Sequence, residues 1–182
     1  MRIAFIALLF AASTCAQSQS AVVPAACGPS DISFKVKLDD SQHTLAQPEP
    51  GKALVYFIQD KGLQSFGIGG TVETRIGLDG TWIGANKNNS YFYVYVGPGE
   101  HHVCANVQSS VMYPMELTRF TAEAEKAYYF RVRVVPTPYG LYLFLDPVDS
   151  DEANYLIATF PVSVSHPYTQ EAPRQSVQRN TR

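Results

Sequence analysis

His101-His102 is the natural first place to look for a metal in this chain. Two imidazoles hold one ion only if both point at it, and neighbours on an extended strand point to opposite faces. Cys104 shares a face with His102, so a pair could form there, unless a disulfide consumes the thiol. His43 and His166 lie in remote, loop-like segments. The pattern predicts no metal site.

Hydrolytic chemistry finds little more. No Gly-x-Ser-x-Gly elbow occurs, and Ser65, although near glycines, lacks the strand-turn-helix setting such a nucleophile needs. Asp149, Asp151 and Glu152 gather carboxylates where a helix start attracts acidic side chains to its dipole. Asp39-Asp40 reads as the solvated end of a strand. A glycoside hydrolase would need two carboxylates facing across a cleft, and Glu152 is the residue such a reading would use. Gly67-Ile68-Gly69-Gly70 leads into a strand near Thr71, whereas a phosphate loop leads into a helix. Asn88-Asn89-Ser90 has the form of a glycosylation acceptor, meaningful only in a eukaryotic host. No catalytic residue and no cofactor is expected.

Aromatic residues offer a different chemistry. Tyr91, Tyr93 and Tyr95 alternate with Phe92, Val94 and Val96, so one face of that strand is all tyrosine. If Trp82 and these tyrosines share an exposed face, with Asn86 and Asn88 beside them, they make a platform for sugar rings or a protein partner. If a second sheet covers the face, they are core residues with hydroxyls at the rim.

The elements that would carry such a platform are strands. Asp79-Gly80 sits between Arg75-Ile76-Gly77-Leu78 and Thr81-Trp82-Ile83, and Asp-Gly is a favoured two-residue hairpin turn. Gly97-Pro98-Gly99-Glu100 then joins the tyrosine strand to His101-His102-Val103-Cys104-Ala105. Arg75 to Val107 therefore reads as a four-stranded antiparallel meander. Around it, Ile32 to Leu38 alternates with period two. Ala53 to Ile58 is unbroken apolar and reads as a strand covered on both sides. Met115 to Thr121, Ala127 to Val135 and Leu141 to Leu145 complete the set. In Ala127 to Val135, Tyr129, Arg131 and Arg133 share one face, while Tyr128, Phe130, Val132 and Val134 face the core. Asp149 to Ala158 is the one good helix, stopped by Pro161. Lys61 to Gly70 reads as a loop. The fold class is all-β: a single antiparallel β-sandwich of eight to nine strands with one short C-terminal helix.

Composition places this domain outside the cytosol. Met1 to Ala16 has Arg2, ten apolar residues from Ile3 to Ala12, and small residues at Thr14 and Ala16, the pattern of a signal peptide. That run is short of the roughly 20 residues of a membrane span, and no later segment reaches it. Cys15, within Ala12-Ser13-Thr14-Cys15, offers the alternative of a lipoprotein box, with membrane attachment through the acyl chain. Residues 17–30 form an N-terminal segment, disordered until Cys27; 31–164 is the sandwich; 165–182 is a flexible polar tail. Cleavage leaves 13 basic against 16 acidic residues, a formal charge of −3. No basic face for nucleic acid can be assembled from that balance. Cys27 and Cys104 then remain, and in an oxidising compartment they read as a disulfide.

Several of these stretches together resemble a bacterial family of exported proteins and predicted lipoproteins of unknown function. The resembling residues are Gly51-Lys52-Ala53-Leu54-Val55-Tyr56-Phe57, Arg75-Ile76-Gly77-Leu78-Asp79-Gly80, Gly84-Ala85-Asn86, Tyr91-Phe92, Gly97-Pro98-Gly99-Glu100-His101 and Tyr128-Tyr129-Phe130. The pattern departs at Glu125, where the family places a glycine. The central third also looks like PEGA-type surface modules, small β-sandwiches. The resemblance implies a fold and a cell-surface setting, and brings no catalytic residues. The expected function is a non-enzymatic, exported module, periplasmic or extracellular, that binds an envelope polysaccharide or envelope protein. The alternatives are a structural or assembly protein of the envelope and, third, a secreted glycoside hydrolase.

Overall fold

The computed structural model describes residues 25–41, 45–60, 71–108, 115–138 and 140–169. Among them run strands β1 (Ile32–Asp39), β2 (Ala53–Asp60), β3 (Glu73–Leu78), β4 (Thr81–Lys87), β5 (Ser90–Val96), β6 (Gly99–Val107), β7 (Glu116–Ala122), β8 (Ala127–Thr137), β9 (Gly140–Pro147) and β10 (Val162–Thr169), with helix α1 (Ser150–Thr159) before the last. They make two sheets, ordered β1-β10-β5-β2-β8-β9 and β4-β3-β6-β7. The fold is the all-β sandwich. Most pairings are antiparallel, but β2 runs parallel to β8, and β10 meets β5 in parallel at Val162–Tyr91. No helix among the described residues is long and apolar enough to cross a membrane.

Apolar residues facing inward from both sheets make the core, with Val55, Phe57, Phe92 and Phe130 on the larger and Ile76, Val103 and Ala105 on the smaller. All eight residues of β2 are buried. Their inner side meets the other sheet, and their outer side meets Ala153, Leu156 and Ile157 of α1. The uninterrupted apolar pattern of this strand is the consequence of two covered faces. The Asp149 carboxylate caps α1, accepting from the amides of Asp151 and Glu152.

The meander read from Arg75 to Val107 is not what forms. β3 and β4 make the expected hairpin, with Asp79 at φ 49° and Gly80 at φ 85° in its turn. β5, however, crosses to the larger sheet beside β2, and the chain returns through Gly97–Gly99 so that β6 pairs with β3. The reason is β5's composition. Both its faces are apolar or aromatic, so it gains most where both are covered. Phe92 packs on Phe57 with ring centres 5.5 Å apart. Gly84 of β4 faces that ring across the core, where an added Cβ would stand 3.0 Å from it.

One boundary also moves. The chain beyond 165 continues as strand to Thr169, pairing with β1 down to Ile32. At the turn before β8, Glu125 holds φ 63° and its amide donates to the Lys52 carbonyl at 2.8 Å. The turn thus holds the left-handed geometry that suits glycine, on a residue with a side chain.

β1 reaches the fold by an unusual route. It belongs to the larger sheet through β10, yet it lies across the outside of β4 and β3. There Phe34 and Val36 cover Trp82, Ala85 and Cys104. The expected Cys27–Cys104 disulfide is present, with Cα atoms 5.3 Å apart. Trp82 Nε1 donates to the Pro29 carbonyl at 2.7 Å. Gln108 completes β1's backbone bonding, accepting from the Phe34 amide at 2.6 Å and donating to its carbonyl at 3.1 Å. Arg75, buried, donates to Asn106 Oδ1 at 3.1 Å and to the carbonyls of Ser30 and Ile32. Its guanidinium lies 4.2 Å from the Trp82 ring. Residues 27–38 are therefore a strap over the smaller sheet.

Replacing both Cys27 and Cys104 by alanine should lower the unfolding free energy by about 2–5 kcal/mol in urea titration; an unchanged midpoint would mean that the crosslink does not secure the strap. Glu125→Gly should instead stabilise the protein. The left-handed conformation costs a side chain about 1–2 kcal/mol, and glycine's extra backbone entropy takes back roughly 0.5–1 kcal/mol. A stability loss in that variant would show the turn to be unstrained.

Candidate aromatic binding site

The β5–β2–β8 register gathers tyrosines on the outer face of the larger sheet. Tyr93 lies opposite Tyr56, and Tyr129 stands beside Tyr56 on the other side. The Tyr56 ring centre is 5.3 Å from that of Tyr93 and 5.4 Å from that of Tyr129, and Tyr95 meets Tyr93 edge-on at 6.0 Å. Offset and edge contacts of this kind are the favourable aromatic geometries.

The row is covered unevenly. Leu156 and Ile157 pack where Tyr91 is buried. Residues 45–50 close the other end, where Tyr56 Oη accepts from the Ala46 amide at 2.8 Å and Tyr95 Oη donates to the Gln47 carbonyl at 3.1 Å. Burial pushes the Tyr56 phenol up to about 12, against a partial offset from its Ala46 hydrogen bond. The Tyr91 hydroxyl is buried with no hydrogen-bond partner among the described residues. Tyr93 remains 38% exposed and Tyr95 is half-buried.

The platform expected from sequence is therefore only partly assembled. Trp82 stands on the other sheet beneath the strap, 7% exposed. Asn86 is fully buried between the sheets, its Nδ2 donating to the Phe57 carbonyl at 2.9 Å. Asn88 shapes the β4–β5 turn at φ 53° and accepts from the Val72 amide at 3.1 Å. These three position backbone, and Tyr91 is core. The alternation placed the tyrosines on one face correctly; it could not show that β4 and β5 lie in different sheets.

Tyr129 also lines a cleft of about 380 Å³, together with Arg119, Phe120, Tyr128, Pro147, Val148 and Ser150 among others. It opens because β9 pairs with β8 only from Phe130 onward, leaving the start of β8 facing β7. A wider cleft of about 450 Å³ lies on the other side of β7, against Ala25, Ala26, His102, Leu117, Thr118 and Arg119. The first shares Tyr129 with the tyrosine row, whereas the second has no residue of that row in its walls. Sequence reasoning put Tyr129 outward and Tyr128 inward, but a strand mismatch at a sheet edge leaves no periodic signal.

The polar candidates lie elsewhere. Arg131 bridges buried Asp60, at 2.5 Å, and Glu152. Arg133 pairs with Asp146 at 2.6 Å. His102 lies 3.7 Å from Glu100 on one face of β6, and His101 faces Asp79 and Gly97 on the other. Cys15, His43, Ser65 and Gly67 to Gly70 lie outside the described residues.

A family model described as "Protein of unknown function (DUF2846)" matches residues 49–139, half of the 182-residue chain. The chain belongs to DUF2846. No curated protein matches it. The DUF2846 span runs from just before β2 to just after β8, so it contains the tyrosine row, the Asp79-Gly80 turn, Arg75 and Trp82. The strap, β9, α1 and β10, which cover the DUF2846 strands, lie outside the match.

Phenolate absorbance followed against pH should contain a component that stays unionised until about 12 or until the fold is lost, absent from Tyr56→Phe. Ionisation of Tyr56 near 10 would mean that water reaches the buried end of the row.

Proposed function

We propose that this DUF2846 protein is a non-enzymatic, exported envelope module that binds a surface polysaccharide through the Tyr93–Tyr95 row and the adjoining cleft at Tyr129. The observation that carries the reading is Tyr93, left 38% exposed between Tyr95 and Tyr56 in a ring cluster whose far member, Tyr129, also lines an aromatic-walled cleft. Tyrosine faces stack on sugar rings while their hydroxyls stay hydrated, and rigid rings lose little entropy on binding. Export is supported by the Met1 to Ala16 pattern and by a disulfide of the kind that persists in oxidising compartments. The likeness to exported proteins, lipoproteins and PEGA-type modules supports the same setting, with lipid attachment at Cys15 as the anchored form. A non-enzymatic role is supported by Glu152 and Asp60, both engaged by one arginine.

The second reading is an assembly protein of the envelope without a small ligand. β7 favours it: an edge strand with a cleft on either side, the form that accepts an added strand from a partner.

Peptidoglycan pull-down and glycan-array binding decide between them. Tyr93→Ala and Tyr129→Ala should each weaken glycan binding about tenfold or more, the loss typical of a ring at a binding centre. Trp82→Ala should lower stability while leaving the affinity of the folded fraction intact. Glycan binding indifferent to Tyr93 and Tyr129 would remove the first reading, and co-purification with an envelope complex without any glycan signal would establish the second.

A further inference from the structure

Two chain turns meet at one imidazole. His101 Nδ1 lies 2.6 Å from Asp79 Oδ2 in the β3–β4 turn, and Nε2 lies 2.9 Å from the Gly97 carbonyl in the connection from β5 to β6. Asp79 Oδ1 accepts from the His102 amide at 2.8 Å, and the Asp79 amide donates to the His102 carbonyl at 2.9 Å. The imidazole is largely enclosed, 15% exposed.

A neutral imidazole has one N–H and one lone-pair nitrogen. Here both ring nitrogens face oxygen acceptors, a carboxylate and a carbonyl. Both contacts are hydrogen bonds only when both nitrogens carry protons. We propose that His101 is held as the imidazolium in the native fold and acts as a proton-dependent clasp between the Asp79–Gly80 turn and the Gly97–Gly99 connection, releasing them as the surroundings become alkaline.

The neighbours fit that role. From β7 the Phe120 ring packs on His101 at 5.5 Å, with Tyr128 of β8 behind it at 5.1 Å. Neither brings a charge. Glu100, His102 and Arg119 form a separate, exposed cluster on the opposite face of β6. Asp79 is thus the charged group that meets the ring. Burial works against the imidazolium, but the Asp79 hydrogen bond, the Gly97 carbonyl and the Asp79 charge together outweigh it and raise its pKa above 6.5. For Asp79, burial is likewise outweighed, by its bonds to His101 and the His102 amide, and its pKa falls below 3.8. The His101 contribution is complete below 6.5 and is lost as pH rises through its higher folded value. The Asp79 contribution is present above 3.8 and is lost as pH falls through its lower folded value. The clasp fastens the β3–β4 turn of the smaller sheet to the connection that brings the chain from β5 in the larger sheet to β6 in the smaller. Phe120 also walls the aromatic cleft, but the proposal stands whether or not that cleft binds a glycan.

Two-bond nitrogen–proton NMR on the nitrogen-labelled protein tests it without any substitution. At pH 6.5 the His101 ring should show two protonated nitrogens, with a titration midpoint above that value. A neutral tautomer at pH 6.5, or a midpoint at or below it, overturns the proposal. Asp79→Asn should move the midpoint down, and an unmoved midpoint counts equally against it. The melting temperature should fall by about 2–4 °C more between roughly pH 6 and 9 in the native protein than in His101→Gln. Equal falls in the two proteins would also sink the clasp.

Discussion

A guanidinium buried without a carboxylate partner among the described residues sets the terms on which this sandwich closes. Arg75 projects from β3 to the outside of the smaller sheet, where ordinary side chains would meet water. Burying a charge costs several kcal/mol even after relaxation, and that cost lowers the Arg75 pKa from its usual value. What offsets it is a ring of neutral oxygens, Asn106 Oδ1 and the carbonyls of Ser30 and Ile32, with the Trp82 face below. Hydrogen bonds to a charged group contribute roughly 1.5–3 kcal/mol each. Two of these oxygens belong to the strap, so the arginine and the N-terminal segment need one another. The disulfide at Cys27 and the indole bond to Pro29 hold the chain just before those two carbonyls.

With the strap in place, the two sheets differ in what their outer faces can do. The smaller sheet is covered by β1 and loses its tryptophan to structure. The larger sheet is covered by α1 at one end and by residues 45–50 at the other, and a gap at Tyr93 survives between them. Candidate function is confined to what those covers leave open. This follows from the path of the chain, since the β1–β10 pair turns away from β5 after one bridge and wraps the other layer.

Much of the local structure was legible in the residues. Asp79-Gly80 announced a hairpin, the apolar run at Ala53 a doubly covered strand, and the carboxylates from Asp149 a helix start, because each depends on neighbours within a few positions. The grouping of Cys27 with Cys104 was also legible, from compartment and count. Trp82 and Asn86 were misplaced for a shared reason: a strand turn and an inter-sheet corner carry similar glycine and asparagine signals. Arg75 and Gln108 gave no sign of their task, since a polar residue on a strand looks solvated until another segment is laid over it.

The chain by itself therefore determined an all-β sandwich, strands β1 to β9, its crosslink and one helix, because period, turn chemistry and capping are short-range physics. Tertiary structure alone decided which sheet each strand joins, which tyrosines stay open, and that His101 sits between a carboxylate and a carbonyl. Those outcomes depend on residues tens of positions apart coming within a few ångströms, and alternation along a strand contains no term for that distance.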